Sequence, residues 1–381
     1  MSLPPWPHHG IDEIDAVVAI LQSGRTNQWT GSTVADFEQA FALKFSLNHA
    51  LAVANGTVAL EFALRGLGIG AEDDVLVSSR SFVASASMPL MVGAQPVFAD
   101  IDLNSGNVTV ETLEAARTPR TRCAIVVHLC GWPCDMPSIM KWASEHNILI
   151  IEDCAQAHGA AVAKQSVGSF GHAAAFSFCQ DKIMSTGGEG GLLAFREQES
   201  YDRAWTWRDH GKLRQEALAQ LQIPTPFRWL AAELGTNGRM TAMQAAIGLA
   251  QLRKLDQWRA QREANAHALA DMLAECENII FPWPNPNLMH AWYQATCLLD
   301  ESLNRDKLLA AIRHDGWPIR SGTCPELYQE RLFERYRPDR QMHGARCLGK
   351  RSLMLPVHPT CNTDDMVRMG SALLSAIKTR G

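Results

Sequence analysis

Ala175-Phe-Ser-Phe-Cys-Gln-Asp-Lys-Ile-Met-Ser-Thr-Gly-Gly-Glu-Gly-Gly191 joins a short apolar run to a glycine-rich turn, with one lysine between them. The apolar part reads as a buried strand ending near Phe178. Lys182 follows it, and Gly187, Gly188, Gly190 and Gly191 then keep the backbone open. No other lysine lies within a dozen residues of Lys182. Most lysines are solvated surface charges. An amine at a strand end, beside the Ser177 hydroxyl and a glycine-rich turn, is instead suited to bond covalently to a phosphorylated aldehyde.

Outward from this stretch, apolar runs alternate with helical patterns. The strands expected are Leu51–Ala54, Val75–Val77, Pro96–Ala99, Ala124–Val127, Leu149–Ile151, Ala174–Phe178 and Gly191–Phe195. Amphipathic stretches such as Val58–Gly66 and Met136–Glu145 lie between them. The alternation predicts an α/β domain around a mixed, mostly parallel and buried sheet. Ligands of such sheets bind beyond the carboxyl ends of the strands. Asn55-Gly56-Thr57, Ser81-Phe82, Asp153 and Lys182 all fall there. Met240–Arg262 reads as one long helix joining two domains, and Pro282-Trp-Pro-Asn-Pro286 as a rigid turn. The expected division is a large α/β domain over residues 10–250 and a smaller α+β domain over 251–381, packed with the N-terminal segment 1–30.

The 381 residues carry a net charge of -5, with 46% hydrophobic and 20% charged residues. That is a globular composition without the basic surplus of a nucleic-acid binder. No apolar run of about 18 residues would span a membrane, and the N-terminus lacks a signal peptide's pattern. A cytoplasmic protein with reduced thiols is therefore expected from the ten scattered cysteines. His128, Cys130 and Cys134 offer three soft ligands within seven residues, but no second half of a zinc site accompanies them. Structural packing is the simpler reading, and no metal is expected.

Asn55-Gly56-Thr57 opens a helix whose free N–H groups would seat a phosphate, unless Asn55 is only a cap. Asp153 ends a strand about thirty residues before Lys182. It is suited to keep a pyridine nitrogen protonated, the task of a carboxylate beside pyridoxal phosphate; a salt bridge, a metal ligand or a cap is the alternative. Gln156 is placed to meet the ring's phenolic oxygen. Phe82 would stack on a flat cofactor or pack in the core.

Together these blocks resemble the DegT/StrS-type sugar aminotransferases, which use pyridoxal phosphate and share aminotransferase fold type I. The resemblance covers roughly residues 10–360. It is carried by Asn27-Gln-Trp-Thr-Gly31 with Phe37-Glu38, by Ala54 to Leu60, and by Phe82-Val-Ala84. Gly93 to Phe98, Asp135-Met136 and Glu152 to Gly159 continue it. Phe176 to Gly191, Arg208-Asp-His-Gly211, Gly235 to Met240 and Gln244 to Gly248 complete it. It implies that Lys182 binds the cofactor aldehyde and shuttles protons, that Asp153 holds the ring nitrogen and Gln156 the phenolic oxygen side, and that Phe82 covers the ring. Gly56, Thr57 and Ser177 would grip the phosphate. Asn237 would reach the phosphate in the neighbouring subunit of a homodimer. Trp29, Arg239 and Tyr328 are candidate substrate contacts.

The implied reaction takes an amino group from L-glutamate, leaves it as pyridoxamine phosphate, and passes it to a keto-sugar for amino-sugar and surface-glycan (lipopolysaccharide) synthesis. A lysine rather than a histidine at position 182 favours transfer over deoxysugar dehydration. A regulatory protein on an inherited fold is the reading from another class, and the intact Lys182–Asp153 pair speaks against it. Ile319 to Tyr328 departs from the family's proline-leucine-histidine element, which leaves open a nucleotide-linked ketose or an eight-carbon keto-sugar acid. Pro325-Glu-Leu-Tyr328 reads either as a helix start with a packed tyrosine or as a substrate contact. Arg80 reads as a surface arginine, with contact to an anionic substrate group as the alternative.

Overall fold

A computed structural model describes residues 3–220, 230–322 and 325–380. Thr323 and Cys324, part of the departing stretch noted above, lie outside the described residues. The main sheet has seven strands: β1 His49–Val53, β2 Asp74–Ser78, β3 Gln95–Ala99, β4 Thr121–Val127, β5 Leu149–Asp153, β6 Ala173–Ser177 and β7 Gly191–Phe195. All seven match the runs read from the sequence to within a few residues. Their order is β1-β7-β6-β5-β4-β2-β3. Only β7 runs antiparallel to its neighbours. The other pairings are parallel.

Register aligns the functional ends. Val127 pairs with Asp153, Asp153 with Ala175, and both Val53 and Ser177 pair with Gly191. The carboxyl ends of β1, β5 and β6 and the start of β7 therefore share one edge. Every residue of β2, β6 and β7 is buried, as expected for strands covered on both faces by helices.

Phe37, Phe41 and Phe45 repeat every fourth residue on the helix Thr33–Phe45, forming one apolar stripe. Phe41 packs against Phe176 and Phe178 at ring-centre distances of 4.9 and 5.7 Å. This aromatic layer lies under the strand that leads to Lys182.

The long helix runs Ala242–Leu273, eleven residues beyond the expected Arg262 end. The extension Glu263-Ala-Asn-Ala-His-Ala-Leu-Ala-Asp-Met-Leu273 contains neither proline nor glycine and is rich in helix formers. Its first part places Ala245, Leu252 and Leu255 in the core around the main sheet. Its last part places Ala266, Leu269 and Leu273 in a second core. That second core lies against a three-stranded antiparallel sheet of Ile279–Ile280, Ala295–Leu299 and Ser352–Leu355, with the helices Arg305–His314 and Thr363–Arg380 beside it. The N-terminal segment returns to the centre, where the Trp6 indole donates to the Lys182 carbonyl at 2.9 Å.

Arg80 is not on the surface. It is 1% exposed, and its Nη2 donates to Ser352 Oγ at 2.9 Å. It links the carboxyl end of β2 to the last strand of the small sheet, a contact between residues 272 apart.

Phe41→Ala is expected to cost about 3–5 kcal/mol, because it empties the centre of the aromatic layer. Urea unfolding followed by circular dichroism measures this.

Candidate active site

A cavity of ≈ 530 Å³ opens at the shared sheet edge. Its walls include Gly56, Thr57, Phe82, Asp153, Gln156, Ser177 and Lys182. The structure thus gathers seven sequence-derived candidates, spread over 127 positions, around one space. Lys182 stands on a turn closed by its own N–H on the Cys179 carbonyl, 3.0 Å. The residues that follow, Ile183 to Thr186, are buried and pin the turn. Gly187 and Gly188 then take φ of 83° and 118°, a backbone region that favours glycine.

One end of the cavity wall suits a phosphate. The helix Gly56–Gly66 starts there, and its cap Asn55 accepts from the Val58 N–H at 2.9 Å. The Gly56 and Thr57 N–H groups have no intrahelical acceptor and carry the positive end of the helix dipole. A β-carbon on Gly56 would lie 2.6 Å from Ser177 Cβ, and one on Gly191 would lie 2.4 Å from the Asn55 carbonyl. Glycine at both positions lets three backbones close around the seat.

Asp153 suits a protonated ring nitrogen. Ser85 donates to its Oδ2 at 2.8 Å, Ser81 and Ser85 share a hydrogen bond at 2.7 Å, and the Ala155 N–H donates to its Oδ1 at 3.2 Å. Burial nevertheless raises the carboxyl above its ordinary range, outweighing these hydrogen bonds and the charge of Lys182. A carboxylate oriented by hydrogen bonds but short of positive charge is matched by a cationic nitrogen. Gln156 accepts from the Cys130 N–H with Oε1 at 2.7 Å. A backbone N–H can only donate, so this contact fixes the amide orientation and leaves Nε2 as a donor. Phe82 is 60% exposed at the cavity mouth, an apolar face with room to stack. The chemistry of these donors fits pyridoxal phosphate.

Ser85 is the site residue that pattern reading missed. A serine on the helix Ala84–Met91 carries no sequence signal for a contact with a carboxylate 68 positions away.

Glu152, next to Asp153, faces the opposite side of the strand. It accepts from the N–H groups of Gly168 (2.8 Å), Phe170 (2.8 Å) and Gly171 (2.6 Å). His128 Nδ1 accepts from the Cys134 N–H at 3.1 Å, which leaves Nε2 to donate to Glu152 at 3.1 Å. Among the described residues the His128, Glu152 and Cys154 donor atoms lie within 4.8 Å of one another. The histidine and the carboxylate are already engaged inside the protein, and burial holds the Cys154 thiol far above its usual range. His158, from the same sequence block, packs against Phe176 and Phe178. Burial lowers its pKa to about 3, so the ring is neutral at pH 7.

The remaining candidates lie elsewhere. Trp29 packs edge-on against Trp205 at 6.0 Å, with Lys212 Nζ 5.2 Å from its ring. Arg239 pairs with Asp209 at 2.9 Å. Asn237 is exposed and is bridged to Asp209 through the backbone. Tyr328 is buried against Phe98, and its hydroxyl donates to Glu326. None of these four lines the cavity.

This sheet order, with a lysine, a carboxylate and a helix start on one edge, is the fold of the pyridoxal-phosphate-dependent aminotransferases. The DegT/DnrJ/EryC1/StrS aminotransferase family matches residues 7–374. The chain belongs to that family and is an aminotransferase. It is 35% identical over 348 residues to GDP-perosamine synthase of Caulobacter vibrioides, covering 90% of each chain. It is 32% identical over 380 residues to the spore coat polysaccharide biosynthesis protein SpsC of Bacillus subtilis, covering 98% of this chain and 96% of the relative. The solved aminotransferase from Psychrobacter cryohalolentis superposes with a TM-score of 0.94 at 40% identity, over 99% of both chains.

Glu152→Gln is expected to cost about 2–4 kcal/mol, since an amide cannot accept all the buried donors aimed at the carboxylate. A lowered thermal midpoint, with the far-ultraviolet spectrum retained, is the expected result.

Proposed function

We propose that the chain is a pyridoxal-phosphate-dependent sugar aminotransferase that takes its amino group from L-glutamate and delivers it to a keto-sugar, most simply a nucleotide-linked one. The observation that carries this reading is the meeting of Lys182, Asp153 and the Gly56–Gly66 helix start around one cavity. The names of the two curated relatives support a sugar substrate: one carries a GDP-linked product, the other a coat polysaccharide. Among the described residues no helix is long and apolar enough to cross a membrane.

When bound, pyridoxal phosphate withdraws electrons from the carbon that bears the amino group. Asp153 Oδ1 and Oδ2, held by Ala155 and Ser85, would keep positive charge on the ring nitrogen. The Gly56 and Thr57 N–H groups and the Ser177 hydroxyl would hold the phosphate. Gln156 Nε2 would donate to the phenolic oxygen, and Phe82 would cover the ring and keep water from it. Lys182 Nζ would hold the aldehyde and, once free, would be the group that accepts and returns the proton which amino transfer requires. Asn237, exposed and away from this cavity, serves the partner's phosphate in a homodimer with two shared sites. The two hydrophobic cores along the Ala242–Leu273 helix, which change over between Leu255 and Ala266, support a division into two domains within that helix.

Lys182→Ala is expected to fold, to lose the borohydride-trapped adduct at position 182, and to transfer amino groups at least about 1,000-fold more slowly. Asp153→Asn keeps the shape and removes the charge, and should slow each half-reaction about 100-fold or more. The decisive measurement is absorbance. L-Glutamate should bleach the cofactor band of the wild type, and a keto-sugar acceptor should restore it. A protein that stays colourless with the cofactor, or whose band ignores L-glutamate, contradicts this reading; a band that ignores glutamate while a deoxysugar is dehydrated supports a lyase.

A further inference from the structure

Trp6 meets the Lys182 turn from far away in the chain. Its indole N–H donates to the Lys182 carbonyl at 2.9 Å, across 176 positions. The face of the same ring lies against the Arg262 guanidinium, which is 4.9 Å from the ring centre. Trp258 meets that ring edge-on at 5.2 Å, and His358 stacks beside it at 6.0 Å. Arg262 is 1% exposed. Its Nη1 donates to the Trp292 and Tyr293 carbonyls, each at 3.2 Å. Among the described residues its Nε and Nη2 have no hydrogen-bond partner. The indole face therefore offsets part of the cost of burying that charge.

These contacts close on themselves. The Lys182 amine lies 5.1 Å from the centre of the Tyr293 ring. The Tyr293 carbonyl is tied to Arg262, Arg262 to the face of Trp6, and the Trp6 N–H to the Lys182 carbonyl. Backbone and amine of Lys182 thus belong to one circuit built on a buried cation. A second tether lies three residues on. Gln251, fully buried, accepts from the Ser185 N–H with Oε1 at 2.8 Å. Its Nε2 is then the donor that faces His9 Nδ1 at 3.3 Å. The Thr360 hydroxyl donates to the Pro5 carbonyl at 3.1 Å. Residues 5–9 therefore bridge the segment around His358 and Thr360 to the turn that carries the amine.

We propose that Trp6 is a positioning residue for amino transfer: it holds the Lys182 turn through its main-chain carbonyl and so sets where the amine stands in the cavity. The assignment rests on the aminotransferase reading above. An amine that must hold a cofactor and then carry a proton is sensitive to a displacement of about 1 Å.

Trp6→Phe keeps an aromatic face for Arg262 and removes the N–H. Trp258→Phe disturbs the same aromatic cluster and leaves that N–H in place, which makes it the control for packing alone. Both are checked for folding by thermal denaturation. Hydrogen exchange of the 179–186 segment, followed by mass spectrometry in the cofactor-free protein, reads the turn without any turnover. Single turnovers with L-glutamate, followed by absorbance, give the maximal rate and the half-saturation separately. For Trp6→Phe the expected result is exchange in that segment about 3- to 10-fold faster, and a maximal rate lower by a similar factor with half-saturation unchanged. Trp258→Phe should lower the thermal midpoint and move neither. Should Trp6→Phe not fold, His9→Ala releases the second tether, leaves the aromatic stack in place, and is expected to act in the same direction. A wild-type maximal rate overturns the proposal, whatever the exchange shows. So does a slowed rate in a turn that exchanges as in the wild type, and so does a Trp258→Phe protein that matches Trp6→Phe in both readouts. Failure of the aminotransferase reading looks different: the wild type would show no cofactor band, while the exchange difference between the variants would persist.

Discussion

Everything at the sheet edge depends on how closely three backbones approach one another. The first turn of the Gly56–Gly66 helix lies against Ser177 and Gly191, and a single β-carbon on either glycine would overlap its neighbour. That contact sets the helix N-terminus directly over the ends of β1 and β6. The same approach fixes where the chain leaves β6, and so where the turn bearing Lys182 stands. A phosphate seat and an amine come within reach of one ligand because nothing larger than hydrogen separates these strands.

The carboxylates of Glu152 and Asp153 show how one strand serves two purposes. Successive side chains of β5 point to opposite faces. Glu152 is consumed by the loop that starts β6, taking three backbone N–H groups and His128. Asp153 is left on the cavity side with only hydroxyl and backbone donors, short of a positive charge. A buried carboxylate without a cation is costly. A site that carries one is poised for a ligand that brings the charge.

Much of this was legible from pattern. Short β-branched and aliphatic runs bounded by turns located all seven strands, because fully buried strands leave little choice of residue. Lys182, Asp153 and Gly56-Thr57 stood out because each follows such a run. Other blocks were visible only as blocks. Glu38, which takes the Ala52 N–H at 2.8 Å, and Arg208, which donates to Glu38 and to the Ala52 carbonyl, meet from 170 positions apart to hold β1. Arg80 was misread as a surface residue because its partner, Ser352, lies in the other half of the chain. The position of Tyr328 against Phe98 likewise follows from a long-range contact, the Leu327 N–H on the Ser79 carbonyl at 2.8 Å, which seats its turn at the end of β2.

The sequence by itself determined the strands, the α/β class, the family and the residues fit to hold a phosphorylated pyridine. These are set by local periodicity and by chemistry that few residue types can supply. Tertiary structure alone decided which of them share a cavity, which of two adjacent carboxylates faces it, and which arginines are buried. Those outcomes turn on contacts between residues far apart in the chain, where side-chain direction and burial are fixed by packing and leave no trace in local spacing.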